Sequence, residues 1–111
     1  MSTEQTQIFH SDQLHWKEVD VRGTPMMEAR TMNGEHGIYS AFYRLPRGTE
    51  IRPHRHESWV QVMVIEGCMR VTAASGTELI KAGDCYVVPP GGRHAEQSVE
   101  DTLVLVVSPD P

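Results

Sequence analysis

Apolar residues in this chain fall in short runs rich in β-branched and aromatic side chains, and glycine or proline ends nearly every one of them. The runs at residues 38–45 (IYSAFYRL), 59–66 (WVQVMVIE), 69–74 (MRVTAA), 77–82 (TELIKA), 84–89 (DCYVVP) and 102–107 (TLVLVV) predict strands. Between and before them stand Gly23-Thr24-Pro25, Asn33-Gly34, Gly37, Pro46-Arg47-Gly48, Gly67, Gly76, Gly83 and Pro89-Pro90-Gly91-Gly92, residues that favour turns. No window of helical length carries an apolar stripe with a period of about 3.6 residues, so the pattern predicts an all-β sandwich or barrel. Residues 1–20 depart from it. FHSDQLHWKEVD is too polar for a core strand and reads as an arm that crosses a barrel face or reaches a partner subunit, leaving 21–111 for the barrel. Within the arm, His10, His15 and Trp16 are expected to be packing or surface residues.

Length and charge narrow the function. The 111 residues suit one domain with one core. Ten basic against fifteen acidic residues give a net charge of −5, and no basic cluster is longer than RPHR at residues 52–55, which disfavours nucleic acid as a partner. The longest aliphatic run, LVLVV at 103–107, is far short of the roughly 20 apolar residues of a membrane span. No membrane helix is expected. The opening residues lack the basic and then apolar blocks of a secretory signal, which predicts a cytoplasmic protein without disulfides. Cys68 and Cys85, outside any C-x-x-C spacing, are expected to be buried free thiols.

The chemistry concentrates in RPHRHESWVQVMVIEG, residues 52–67. In a strand, residues i and i+2 share a face, so His54 and His56 would present two imidazoles to one compartment. Imidazole binds most divalent transition metals. The later segment GDCYVVPPGGRHAEQS delivers His94 after a proline-glycine turn.

Gly48-x5-His54-x-His56-x4-Gln61-x5-Gly67 resembles the first motif of the cupin superfamily, and Gly83-x5-Pro89-x-Gly91-x2-His94 resembles the second. The resemblance, to small single-domain RmlC-like cupins, implies a single jelly-roll β-barrel holding one divalent transition metal per chain. Ferrous iron is favoured, with zinc, nickel, manganese or cobalt as the other candidates. Its ligands would be His54, His56, His94 and a fourth residue from the first motif. Two positions depart from the family pattern: the usual glutamate is Gln61 here, and the usual asparagine is Ser98. Counting back from Gly67 places the fourth ligand at Val60, whereas counting forward from His56 places it at Gln61, and of the two only Gln61 has a lone pair to give. Glu57 should face away from His56, and Glu66, beside a turn glycine, should be solvated.

An amide at Gln61 would leave the ion more Lewis acidic than a glutamate would, and would favour a small anionic, chelating substrate. The family offers two activities that fit: ferrous three-histidine dioxygenases, the favoured reading, and non-redox isomerases of uronate or sugar-type substrates with a His-His-Gln-His set. A non-catalytic metal- or ligand-binding module is the third possibility. Alternation from His94 turns Glu96 and Ser98 inward, which makes Glu96 the candidate general acid or base and Ser98 a candidate pocket residue. Gln61 turned inward would bring Trp59, Met63 and Ile65 to the pocket. Tyr43 and Arg44, on opposite faces of one strand, are rival candidates for a substrate oxygen or carboxylate. The resemblance also implies a homodimer with residues 1–20 in its interface.

Overall fold

Each of the six expected runs forms a strand, and four further strands complete two antiparallel sheets in the computed structural model, which describes residues 5–110. In chain order they are β1 (Lys17–Val21), β2 (Thr24–Asn33), β3 (Tyr39–Leu45), β4 (Glu50–His54), β5 (Val60–Glu66), β6 (Cys68–Ala73), β7 (Gly76–Lys81), β8 (Cys85–Val88), β9 (His94–Ser98) and β10 (Thr102–Ser108). One sheet runs β1-β2-β3-β10-β5-β8, the other β4-β9-β6-β7. Neighbours in each are mostly distant in sequence, the jelly-roll arrangement in which the chain crosses repeatedly between two facing sheets.

The longest strand, β2, had no signal in the hydrophobic pattern. TPMMEARTMN contains a proline and few β-branched residues, so local preference does not specify a strand. Pairing on both edges does: Lys17–Val21 runs against 24–28 on one side, and Met27, Ala29 and Asn33 face Arg44, Phe42 and Tyr39 on the other. The arm therefore ends earlier than residue 20. Lys17–Asp20 belong to the sheet, with Val19 and Val21 packed on the core while Asp20 between them is exposed. A two-residue turn at Arg22-Gly23, with φ of 53° and 87°, joins β1 to β2, the left-handed pair that matches strand twist in a tight hairpin. Ahead of β1, His10 and His15 are exposed and Trp16 lies against the Arg44 guanidinium, 4.9 Å from ring centre, as expected of packing or surface residues. Residues 1–4 of the arm lie outside the described residues.

The core fills the space between the sheets with Met26, Leu45, Ile51, Val60, Val62, Val64, Met69, Val71, Val88 and Val104. On β5 the inward row is Val60, Val62 and Val64, the last fully buried. Gln61, Met63 and Ile65 alternate onto the other face. Gly67 is the single residue between β5 and β6, where the chain leaves one sheet for the other. Its φ is 92°, and a Cβ there would run into the Asp101 carbonyl oxygen, so the crossing favours glycine. Of the cysteines, Cys68 is buried as expected but Cys85 is exposed, because β8 pairs with β5 in the register that turns Tyr86 and Val88 inward. Among the described residues, no helix is long and apolar enough to cross a membrane.

Candidate metal centre

His54, His56 and His94 converge between the sheets, with one ring nitrogen from each lying within 4.8 Å of the others. Their ring centres are 4.2 Å (His54–His94), 5.0 Å (His54–His56) and 5.6 Å (His56–His94) apart. Two local devices bring them together. The β4–β9 register shifts between Ile51 and His54, so the odd spacing that would put these residues on opposite faces instead leaves both inward. Pro53 sits in that irregularity on an edge strand, where its missing N–H costs no ladder bond. His56 lies just beyond the end of β4, and its carbonyl accepts the Gly91 N–H at 2.8 Å. That bond fastens the Pro89–Gly92 turn to the first histidine pair and sets where β9 begins with His94.

Backbone carbonyls fix the tautomers. His54 Nδ1 lies 2.6 Å from the Arg52 oxygen and His94 Nδ1 3.0 Å from the Gly92 oxygen. A carbonyl can only accept, so each Nδ1 carries the hydrogen and each neutral ring keeps its lone pair on Nε2, aimed into the cavity. Burial lowers the pKa of His54, against the opposing pull of the Arg52 carbonyl and Glu96. For His56, burial, followed by the charges of His54, Arg22 and His94, lowers it from 6.5 to about 4. Neutral imidazoles with a lone pair free and the second nitrogen anchored are what a divalent transition metal requires of its ligands. The residues present fit such an ion.

Glu96 stands beside two of these rings. Its Oε1 is 3.7 Å from His54 Nε2 and 3.6 Å from His94 Nε2, while Oε2 accepts the Tyr86 hydroxyl. Burial first, and then the Glu96 carboxylate, push the Tyr86 phenol far above its ordinary pKa, so it stays a donor. Farther along the same cavity of about 680 Å³, Tyr43 donates to Glu28 at 2.6 Å and Glu28 pairs with Arg30 at 3.5 Å. Burial, with Glu28 beside it, raises the Tyr43 pKa as well. Arg22 and Asp110 border the cavity, and Arg22 donates to the Arg55 carbonyl at 3.3 Å.

The remaining sequence candidates divide cleanly. Tyr43 lines the cavity, whereas Arg44 faces out against Trp16. Gln61 does not join the histidines: it stands on the outer face of β5, with its amide nitrogen 3.9 Å from Cys85 Sγ. Val60 takes the inward position, as the count back from Gly67 gives. The pocket assignment of Trp59, Met63 and Ile65 fails for the same reason. They share the outward phase of Gln61, and Trp59 and Met63 are 36% and 39% exposed. Glu57 and Glu66 are exposed, as expected. Ser98 is buried, but it fastens a loop rather than lining the cavity. Its hydroxyl donates to the Pro46 carbonyl at 2.6 Å and accepts the Thr49 N–H at 2.9 Å. Sequence reasoning missed Tyr86, Glu28 and Arg22. Alternation back from Val88 would have found Tyr86; the other two belong to the β1–β2 hairpin, whose strands had no hydrophobic signal.

Solved structures share this architecture. A predicted oxalate decarboxylase from Thermotoga maritima superposes with a TM-score of 0.80 at 20% identity, over 92% of this chain and 97% of its own. KdgF from a Halomonas species gives 0.78 at 22% identity, over 96% of both chains. An RmlC-like cupin from Shewanella frigidimarina gives 0.75 at 20% identity, over 95% and 92%. No curated protein sequence matches this chain. The family model of the ChrR cupin-like domain matches residues 4–111, nearly the whole sequence, so this chain belongs to the ChrR cupin-like family of the cupin superfamily.

Proposed function

We propose that this cupin holds one divalent transition metal at His54, His56 and His94 and acts with it on a small anionic molecule, dioxygenation being the reaction class. The observation that carries the reading is the set of three converging imidazoles, two of them locked by backbone carbonyls with Nε2 toward the cavity. When bound, the ion supplies Lewis acidity toward a chelating anion and, if ferrous, electrons with which to engage dioxygen, both of whose atoms would enter the substrate. Val60 closes the first-motif side with a side chain that cannot ligate, so room for a substrate lies toward the cavity.

The chain's own residues serve recognition and proton handling there. Arg22 brings a guanidinium to the cavity wall close enough to His56 to lower its pKa, and suits a carboxylate or enolate. Tyr86 and Tyr43 keep their hydrogens at any working pH and present fixed hydroxyls beside the carboxylates that orient them. Val62, Val104 and Val106 form the apolar wall that limits water. The argument from a neutral amide at Gln61 falls with its outward orientation: the His-His-Gln-His pattern of the isomerases goes with it, and so does the support the amide lent to the dioxygenase, which now rests on the three histidines.

The test is to load the metal-free chain with ferrous iron or with zinc and offer β-diketones, thiols, phenolic ketones and unsaturated uronates while following oxygen and substrate together. Oxygen uptake matched by substrate loss with iron alone is expected. Substrate loss with zinc and no oxygen uptake would replace the dioxygenase with an isomerase. Metal binding without turnover of any compound would leave a metal-binding module.

A further inference from the structure

The geometry points to Glu96 as the fourth protein ligand of the metal centre, a carboxylate supplied by β9 where the first cupin motif supplies none. The inference rests on the metal reading above and concerns its ligand set. With both Nδ1 atoms donating to carbonyls, the Nε2 atoms of His54 and His94 are lone-pair acceptors. Glu96 Oε1 faces them at 3.7 and 3.6 Å. Three atoms able to ligate a cation thus stand side by side between β4 and β9. Neighbouring ligands of a tetrahedral ion with bonds near 2.1 Å are about 3.4 Å apart, within a few tenths of the spacing Glu96 shows to His54 and His94; the three histidines form the tighter group, and Glu96 would close toward His56 on binding.

The second oxygen of Glu96 accepts the Tyr86 hydroxyl, which leaves Oε1 free and aims it. The Glu96 side chain is 9% exposed and His94 only 2%, so bulk water does little to offset a carboxylate unpaired at this point. Val60 explains why the carboxylate is needed. The inward position on β5 nearest the histidines carries an isopropyl group, so the positive charge of an ion would find no anionic ligand there. Because β4 pairs with β9, placing His54 opposite His94, the next inward residue on β9 is Glu96, one step deeper in the cavity. The charge has moved from one sheet to the other.

The experiment measures zinc affinity by competition with a chromophoric chelator, and the visible spectrum of the cobalt(II) form, for the full chain. Glu96→Gln is expected to weaken zinc at least about tenfold, the lower end of what loss of a supporting residue costs, and to shift the cobalt bands. Adding Val60→Glu to Glu96→Gln is expected to recover most of the lost affinity from the opposite sheet. Should Glu96→Gln fail to fold, wild type labelled with 13C at glutamate side chains gives the second reading: one carboxyl resonance should shift on adding zinc. Unchanged cobalt bands in Glu96→Gln, or no carboxyl shift in wild type that does bind zinc, would overturn the assignment and leave three histidines. Wild type that binds neither zinc nor cobalt would overturn the metal reading itself.

Discussion

Replacing Ser98 by alanine should lower stability modestly and leave the metal centre intact. The hydroxyl makes two hydrogen bonds between β9 and the β3–β4 loop, to the Pro46 carbonyl and from the Thr49 N–H. Neither partner is orphaned by its loss. The Thr49 N–H keeps the Pro46 carbonyl at 3.0 Å, and that carbonyl keeps the Thr49 hydroxyl at 2.6 Å as well. The cost is then two ordinary net hydrogen bonds, about 1–2 kcal/mol in all, rather than the roughly 2–6 kcal/mol of two buried groups left unpaired. For a domain of this length about 1 kcal/mol corresponds to about 4 °C, so the midpoint should fall by about 4–8 °C. Scanning calorimetry of the metal-free protein reads this directly, with zinc affinity measured on the same samples. A midpoint unchanged within about 1 °C, together with weakened zinc binding, would show that the hydroxyl faces the cavity. A fall beyond about 15 °C would show that its partners have no other bonds.

Other outcomes follow from the same geometry. Gln61→Glu should leave zinc affinity within about twofold of wild type, since the side chain lies on the outer face beside Cys85; a change of tenfold or more in a competition titration would return it to the ligand set. Metal-free protein should lose stability as pH falls from about 6.5 towards 4: an unfolded chain takes up a proton at His56 near 6.5, the folded one only near 4, so in that window the unfolded state binds more protons. Urea midpoints at several pH values should show this, with a shallower slope in His56→Ala; an equal slope would remove His56 as its source. Gly67→Ala should cost more than about 2 kcal/mol in urea unfolding, from its left-handed backbone and the contact with Asp101, and a loss under about 1 kcal/mol would mean the crossing can relax.

The sequence determined the fold class and the histidine triad that could hold a metal. Turn residues and short β-branched runs located six strands, because each such run records a local requirement of backbone and pleat. Motif spacing also picked out the three histidines that the fold brings together, since a fixed number of residues on a strand and a turn sets where each ring arrives. Phase was decided by the tertiary structure. His56 to Gln61 spans a loop before β5 begins, and alternation counted through a loop carries no information about which face a residue takes. Counting within the strand, back from Gly67, does carry it, and gives Val60. Ser98 was placed correctly on the inward face of β9, yet only the approach of Pro46 and Thr49, far away in sequence, made it a fastening for a loop. The β1–β2 hairpin was illegible for a related reason. Its residues have weak strand preferences of their own and become strands because β3 offers an edge, an energy that exists only once the sheet is assembled.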